Sequence, residues 1–275
     1  AREVAKVLSV AAKQPVVVEN KVGAEGTIGT QALINSPADG HTLMFASNSI
    51  TVFDPLMKLN MPYDAGKDIV PVCGVGRTNL LINANGSGPL KSVADVIAAA
   101  KAQPGKLTFG YTSTSMRLAG EMFQQVSGVK LTGVPYKSSV TGLTELSSGL
   151  LDLIFIDGSS ALAFHESGKV RPLAASGAQR LKSLPNVPSA AEAGVPGYSV
   201  LPWFGLYVSG KTPAAIRNQV SDIVDKVIKS PEMVANLEKR GLEPFNLCGD
   251  ALVKFRQEEM ETWRQVIQKA GIERQ

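Results

Sequence analysis

Apolar positions along this chain switch repeatedly between a helical and a strand period. Val4, Leu8 and Ala11 fall on one helical face of residues 1–13. Ala1 offers no side chain to cap that helix, so the chain is expected to begin inside it. Residues 16–19 form a β-branched run that predicts a strand, followed by a turn rich in glycine (Gly23, Gly26, Gly29) and a helical stretch through Ile34. Beyond the turn Ala38-Asp39-Gly40, strands are predicted over 42–46 and along one extended segment, 69–82. Ser92 and Asp95 open a helix like a capping box, and Pro104-Gly105 ends it. Strands over 107–111, 129–134, 151–156 and 172–175 alternate with helices over 118–126 and 140–146 and one more before residue 172. Beyond a Pro/Gly-rich crossing between Leu184 and Pro202 come a strand over 203–208 and three helices. The first has Thr212 as cap and Pro213 as its first residue, the second begins the same way at Ser230 and Pro231, and the last runs from about Asp250 to Ala270. The alternation predicts an α/β protein with doubly wound parallel sheet, whose ligands sit beyond the carboxyl ends of the strands.

Length makes this two domains instead of one, since 275 residues exceed the size at which a single core stops growing. A 44% hydrophobic and 19% charged composition excludes a disordered chain. The net charge of +4 is scattered over helices with no basic stripe, so no nucleic-acid partner is expected. No apolar run reaches the length of a membrane span, and no signal-peptide pattern is present at the N-terminus. Cys73 and Cys248 lack metal or redox spacing; a buried free thiol is the default expectation for each, with a disulfide between them left open by the sequence.

Motifs for catalysis are sparse. The sequence has no G-x-S-x-G elbow and no H-E-x-x-H or EF-hand pattern; His41, after a turn glycine, reads as a surface residue and His165 as a helical one. Gly23, Gly26 and Gly29 lack the G-x-G-x-x-G order, and Glu25 would face a pyrophosphate, so no nucleotide cofactor is expected. Glycines that let backbone N–H groups approach a ligand ahead of a helix could still hold an anion, with a tight structural turn as the competing reading. Thr112-Ser113-Thr114-Ser115 is a better cradle, because capping a helix needs only one of these hydroxyls. Arg117 follows just inside that helix, where it could pair with a carboxylate or stand solvated.

Pro15-Val16-Val17-Val18-Glu19-Asn20-Lys21-Val22-Gly23-Ala24 resembles a stretch of the tripartite tricarboxylate transporter substrate-binding proteins, the Bug family. Leu118-Ala119-Gly120-Glu121, Val134-Pro135-Tyr136-Lys137, Leu184-Pro185-Asn186-Val187-Pro188-Ser189, Ala191-Glu192-Ala193-Gly194 and Trp203-Phe204-Gly205-Leu206 resemble further family motifs in the same order. The resemblance spans essentially the whole chain. It implies a two-domain, periplasmic-binding-protein-like fold of the type II, Venus-flytrap kind, with domains at 1–79 plus 202–275 and at 80–201 and a ligand cleft between them. It further implies a monomeric periplasmic receptor without cofactor or catalysis, which delivers a small carboxylate, amino acid or aromatic acid to membrane permease subunits.

Carried over by position, the first domain supplies Gly23, Ala24, Gly26, Thr27, Ser47, Asn48 and Ser49 to the ligand. The second supplies Thr112, Ser113, Thr114, Ser115, Arg117, Tyr136 and Asp157. Tyr136 reads equally as a packing residue, and Asp157 as a cap for the helix after it. Two departures stand out. The family's signal peptide, first strand and first glycine loop are not in this sequence, so the first domain is expected to lack a strand. The loop at Thr112 is shorter than the family's, and Arg117 occupies a position usually held by His, where it is expected to add a charge contact to a carboxylate. The alternatives are a solute sensor or interaction module, or an enzyme acting on a small carboxylate.

Overall fold

The computed structural model describes residues 1–21, 23–269 and 271–274. Val22 of the family-like stretch, the expected helix end at Ala270 and the side chain of Glu25 lie outside the described residues. In chain order the elements are α1 (Arg2–Ala12), a 3-10 turn (Ala24–Gly26), α2 (Thr27–Ile34), β1 (Met44–Ser47), a π turn (Ser49–Phe53) and α3 (Asp54–Met57). Next come β2 (Ile69–Arg77), β3 (Leu80–Asn85), α4 (Val93–Ala102), β4 (Thr108–Tyr111), α5 (Thr114–Ser127), β5 (Thr132–Pro135) and α6 (Ser139–Ser148). The chain continues with β6 (Leu153–Asp157), α7 (Gly158–Glu166), β7 (Val170–Ala175), β8 (Trp203–Ser209), α8 (Ala214–Ile228), α9 (Pro231–Lys239), β9 (Glu243–Pro244) and α10 (Asp250–Lys269). These elements form two compact units, Ala1–Arg77 with Trp203–Gln275 and Thr78–Pro202.

The first unit holds a four-stranded sheet in the order β1-β8-β2-β9, with each neighbouring pair antiparallel. One core cluster joins Val4 and Leu8 of α1 to Val72 and Val75 of β2, Leu206 and Val208 of β8, and Val224, Val227, Met233 and Leu237 of α8 and α9. Aromatic rings make a second focus, where Trp203 packs on Tyr207, Phe245 and Phe255, and Trp263 meets Phe53 edge-on. Ala11, expected on the buried face of the first helix, is exposed; Ala5 takes that place beside Val4 and Leu8.

Residues 16–19 do not form the expected strand. A strand needs an edge to pair with, and here a cavity of about 800 Å³, lined by Val16, Val18, Leu33, Leu43, Phe45 and Ile50, lies beside both this segment and β1. The backbone N–H of Val16 donates instead to Ser9 Oγ of α1 at 2.9 Å.

The expectation of free thiols is also overturned: Cys73 and Cys248 form a disulfide. Cys73 on β2 and Cys248 just before α10 face each other as an antiparallel bridge pair with Cα atoms 4.1 Å apart, a placement that sequence spacing does not reveal. Backbone bonds from Gly74 to Leu247, Phe245 to Val75 and Gly249 to Val72 hold the two segments in that register.

The second unit holds a five-stranded sheet in the order β5-β4-β6-β3-β7. β5, β4, β6 and β7 run in the same direction and β3 alone runs against them, pairing antiparallel with both β6 and β7, so the sheet is mixed where a wholly parallel one was expected. The predicted extended segment 69–82 divides at Thr78 and Asn79 into β2 and β3, which belong to different sheets. Asn79 anchors the start of β3 by donating its side-chain amide to the carbonyl of Ser176, and Ser176 Oγ accepts the Leu80 N–H at 3.0 Å. Phe109, Phe123, Phe155 and Tyr198 form the buried aromatic centre. Gly120 of α5 is seated against the Phe109 ring, where a methyl group would collide with it.

Local start signals hold in several helices. Ser92 accepts from the Asp95 N–H at 3.1 Å and Ser230 from the Met233 N–H at 3.3 Å. Thr212 is a correction: it is buried, and Pro213 occupies the cap position of α8 without a side-chain acceptor.

Candidate functional site

In the first unit, two chain reversals meet. The turn after residue 21 runs through Gly23 (φ 123°), Ala24 (φ 44°) and Gly26 (φ 94°) before Thr27 opens α2. Gly26 is required twice over, by its left-handed backbone and because a Cβ there would strike Ile50 of the π turn. Part of the turn's donor capacity is spent internally: the Gly26 N–H bonds to the Gly23 carbonyl at 3.0 Å, and the Thr27 N–H to the Ala24 carbonyl. The carbonyl of Gly26 accepts the hydroxyl of buried Thr30 at 3.1 Å.

Ser47 ends β1, Asn48 follows it, and Ser49 begins the π turn, a backbone irregularity often found at functional sites. Asn48 is fully buried and its side chain is committed inside the unit: Oδ1 accepts the Trp203 N–H at 3.4 Å, and Nδ2 donates to Glu259 Oε1 at 2.9 Å. The Trp203 indole N–H donates to the other oxygen of Glu259 at 2.7 Å. Burial raises the Glu259 pKa to about 7, against the pull of these two donors. Sequence reasoning missed Glu259. The available signal was its place on the inward stripe of α10, in step with buried Leu252, Arg256, Trp263 and Ile267.

In the second unit, Thr112 to Arg117 stay together at the start of α5. The helix begins at Thr114, earlier than the expected 118, so Thr114 and Ser115 lie in its first turn instead of a loop. Ser113 is the cap, accepting the Met116 N–H at 3.4 Å and sharing a 3.0 Å hydrogen bond with Ser115 Oγ. Thr112 Oγ1 donates to Met116 Sδ at 3.1 Å. Arg117 is half-buried, and its charge lowers the Glu121 pKa, which burial raises more strongly.

Tyr136 stands next to this loop because its N–H bonds to the carbonyl of Tyr111 at 2.8 Å. Its ring packs on the cluster around Leu143 and Ile154, and its hydroxyl donates to Glu145 at 2.6 Å. Burial, then Glu145, push its pKa up to about 12. Asp157 caps α7, with Oδ1 accepting the Ser160 N–H at 2.9 Å and Oδ2 the Ser160 hydroxyl at 2.8 Å. Thr112, Tyr136 and Asp157 thus share one edge of the sheet, at or just past the carboxyl ends of parallel β4, β5 and β6. Ligand sites of open α/β sheets lie at such an edge.

His41 is exposed, and its N–H bonds to Asp39 at 3.0 Å. His165 is half-buried and bonded to Asn83. Among the described residues there is no group of three or more His, Cys, Asp or Glu that could hold a metal ion, and no helix long and apolar enough to cross a membrane.

Two α/β units of this topology place the chain in the class of periplasmic-binding-protein-like receptors. Within that class it belongs to the tripartite tricarboxylate transporter family receptors, whose family model matches residues 1–272. It is 31% identical over 274 residues to protein BugT of Bordetella pertussis, covering 98% of this chain and 84% of that protein. It is 32% identical over 273 residues to a UPF0065 protein of Bordetella bronchiseptica, covering 99% of this chain and 81% of the relative. Among solved structures, the R. palustris protein Rpa4515 with adipate aligns with a TM-score of 0.91 and 31% identity, over 100% of this chain and 92% of that one. A structure described as a periplasmic transporter aligns with a TM-score of 0.87 and 30% identity, over 99% of this chain and 92% of its own. The family and these neighbours are solute-binding proteins.

Proposed function

We propose that this protein is a periplasmic solute receptor that captures a small dicarboxylate for the permease of a tripartite tricarboxylate transporter, without catalysing a reaction on it. The observation that carries this reading is the whole-chain likeness to an adipate-bound protein, at 31% identity and a TM-score of 0.91. The chemistry supports it. In the second unit the first turn of α5 combines the positive end of a helix with several hydroxyls and the cation of Arg117, a set suited to a carboxylate. In the first unit the glycine turn and the Ser47–Ser49 reversal offer backbone and hydroxyl groups suited to a carboxylate. Asp157 and Tyr136 are bonded to their own neighbours and shape the edge more than they bind. Asn48 acts from inside.

Thermal unfolding with and without adipate tests this reading. Adipate at one hundred times its dissociation constant is expected to add about 2.7 kcal/mol of stability. Arg117→Ala is expected to weaken binding about tenfold, the loss of a charge-assisted hydrogen bond. Absence of a shift with adipate and with other straight-chain dicarboxylates would overturn the proposal, and recovery of chemically altered ligand would favour an enzyme.

A further inference from the structure

Glu259 and Asn48 are 211 residues apart in sequence and hydrogen-bonded in the fold. The carboxylate receives one donor on each oxygen, the amide of Asn48 at 2.9 Å and the indole of Trp203 at 2.7 Å. Asn48 in turn accepts the backbone N–H of Trp203, which closes a ring of three residues from β8, α10 and the turn after β1. We propose that Glu259 is a positioning residue for solute capture, holding the Ser47–Ser49 reversal in its binding conformation through Asn48 and Trp203. This rests on the reading that Ser47–Ser49 contacts the solute.

Both Asn48 Nδ2 and Trp203 Nε1 can only donate, so the group between them must accept twice. An ionised carboxylate does so, whereas a carboxylic acid or a glutamine amide keeps one good acceptor and turns a hydrogen toward one of the donors. The groups around Glu259 leave its charge without a counter-ion among the described residues. On α10, Arg256 Nη1 donates to the carbonyls of Ala65 and Ile69 while its Nε is buried without a partner; on β8, the hydroxyl of Tyr207 pairs with Thr51 at 3.0 Å. The two N–H donors alone oppose the cost of burial, which places ionisation near neutrality. Loss of the ionised form therefore leaves Asn48 or Trp203 without its acceptor and loosens the reversal that the ring holds.

The test is adipate binding by calorimetry between about pH 6 and about pH 8, with wild type and Glu259→Gln compared across the ionisation range of the buried carboxylate. Wild-type affinity is expected to fall as the pH drops through about 7, toward that of the variant. The variant is expected to bind about tenfold more weakly at the upper pH and to show no inflection. Trp203→Phe removes one donor and retains Glu259; its inflection is expected to move to higher pH, which a merely structural role would not produce. The Trp203 indole N–H signal of ligand-free protein, assigned with Trp263→Phe, should titrate in wild type and not in Glu259→Gln. Unchanged affinity in Glu259→Gln, or a flat wild-type profile, overturns the positioning role while leaving the solute reading intact. A wild-type profile of opposite sign would show the charge of Glu259 repelling the ligand directly, and also overturns it. Failure of wild type to bind any dicarboxylate removes the solute reading and this proposal together.

Discussion

The imidazole of His165 meets Asn83 Oδ1 at 2.7 Å, while Asn83 Nδ2 donates to the carbonyl of Leu81 at 3.0 Å. Because the amide is oriented by that second bond, His165 Nε2 is the donor, and Nδ1 is left buried without a partner. Protonation would place an unsatisfied N–H there, and burial accordingly lowers the His165 pKa below 6.5. A depressed histidine pKa means stability that is present above the unfolded value and lost as pH falls through the folded one. Glu259, with its pKa raised to about 7, contributes in the opposite direction across the same range. The difference between wild type and His165→Gln in urea unfolding isolates the histidine: wild type is expected to lose more stability than the variant between about pH 7.5 and about pH 5.5. At this scale sequence reading worked for residues acting on their own neighbours. Ser92 and Ser230 cap the helices beside them, and Asp157 caps α7. It missed the partnership of Asn48 with Glu259, because nothing local in either residue records a contact made across the unit.

Elements were legible where their own periodicity decides, as in α4, α6 and β8, and illegible where a distant partner decides. Residues 16–19 have the composition of a strand, yet among the described residues they pair with no strand. The run 69–82 has uniform strand character but is shared between two sheets, at a break set by Ser176 holding Asn79 and Leu80. Parallel and antiparallel neighbours cannot be told apart from apolar runs, so β6, buried on both faces, looked the same whether β3 ran with it or against it. The Cys73–Cys248 link is the sharpest case, since it pins β2 to the entry of α10 across 175 residues. Closing a loop of that length restricts the unfolded chain by up to about 5 kcal/mol in the chain-entropy model. Treatment with a thiol reductant is expected to lower the urea midpoint of the first unit. An unchanged midpoint would mean that the backbone bonds around Val72 and Gly74 already fix this contact.

As a whole, the chain gives its second unit one continuous segment and its first unit two. The ends of that segment are already joined, with the Thr78 N–H bonded to the Pro202 carbonyl at 2.9 Å. Residues 78–202 expressed alone are therefore expected to melt cooperatively, and a reductant should not alter that transition, because both cysteines belong to the other unit. A broad, non-cooperative melt would show that the segment depends on the rest of the chain for its structure. The disulfide also bears on how the molecule is made. Cys73 leaves the ribosome long before Cys248 and waits with a bare sulfur while every residue of the second unit is added. Within residues 1–275 the two cysteines allow one intramolecular pairing. Until Cys248 emerges, capture by another molecule competes with that pairing, so crowding of half-made chains is expected to lower the yield of correctly oxidised protein.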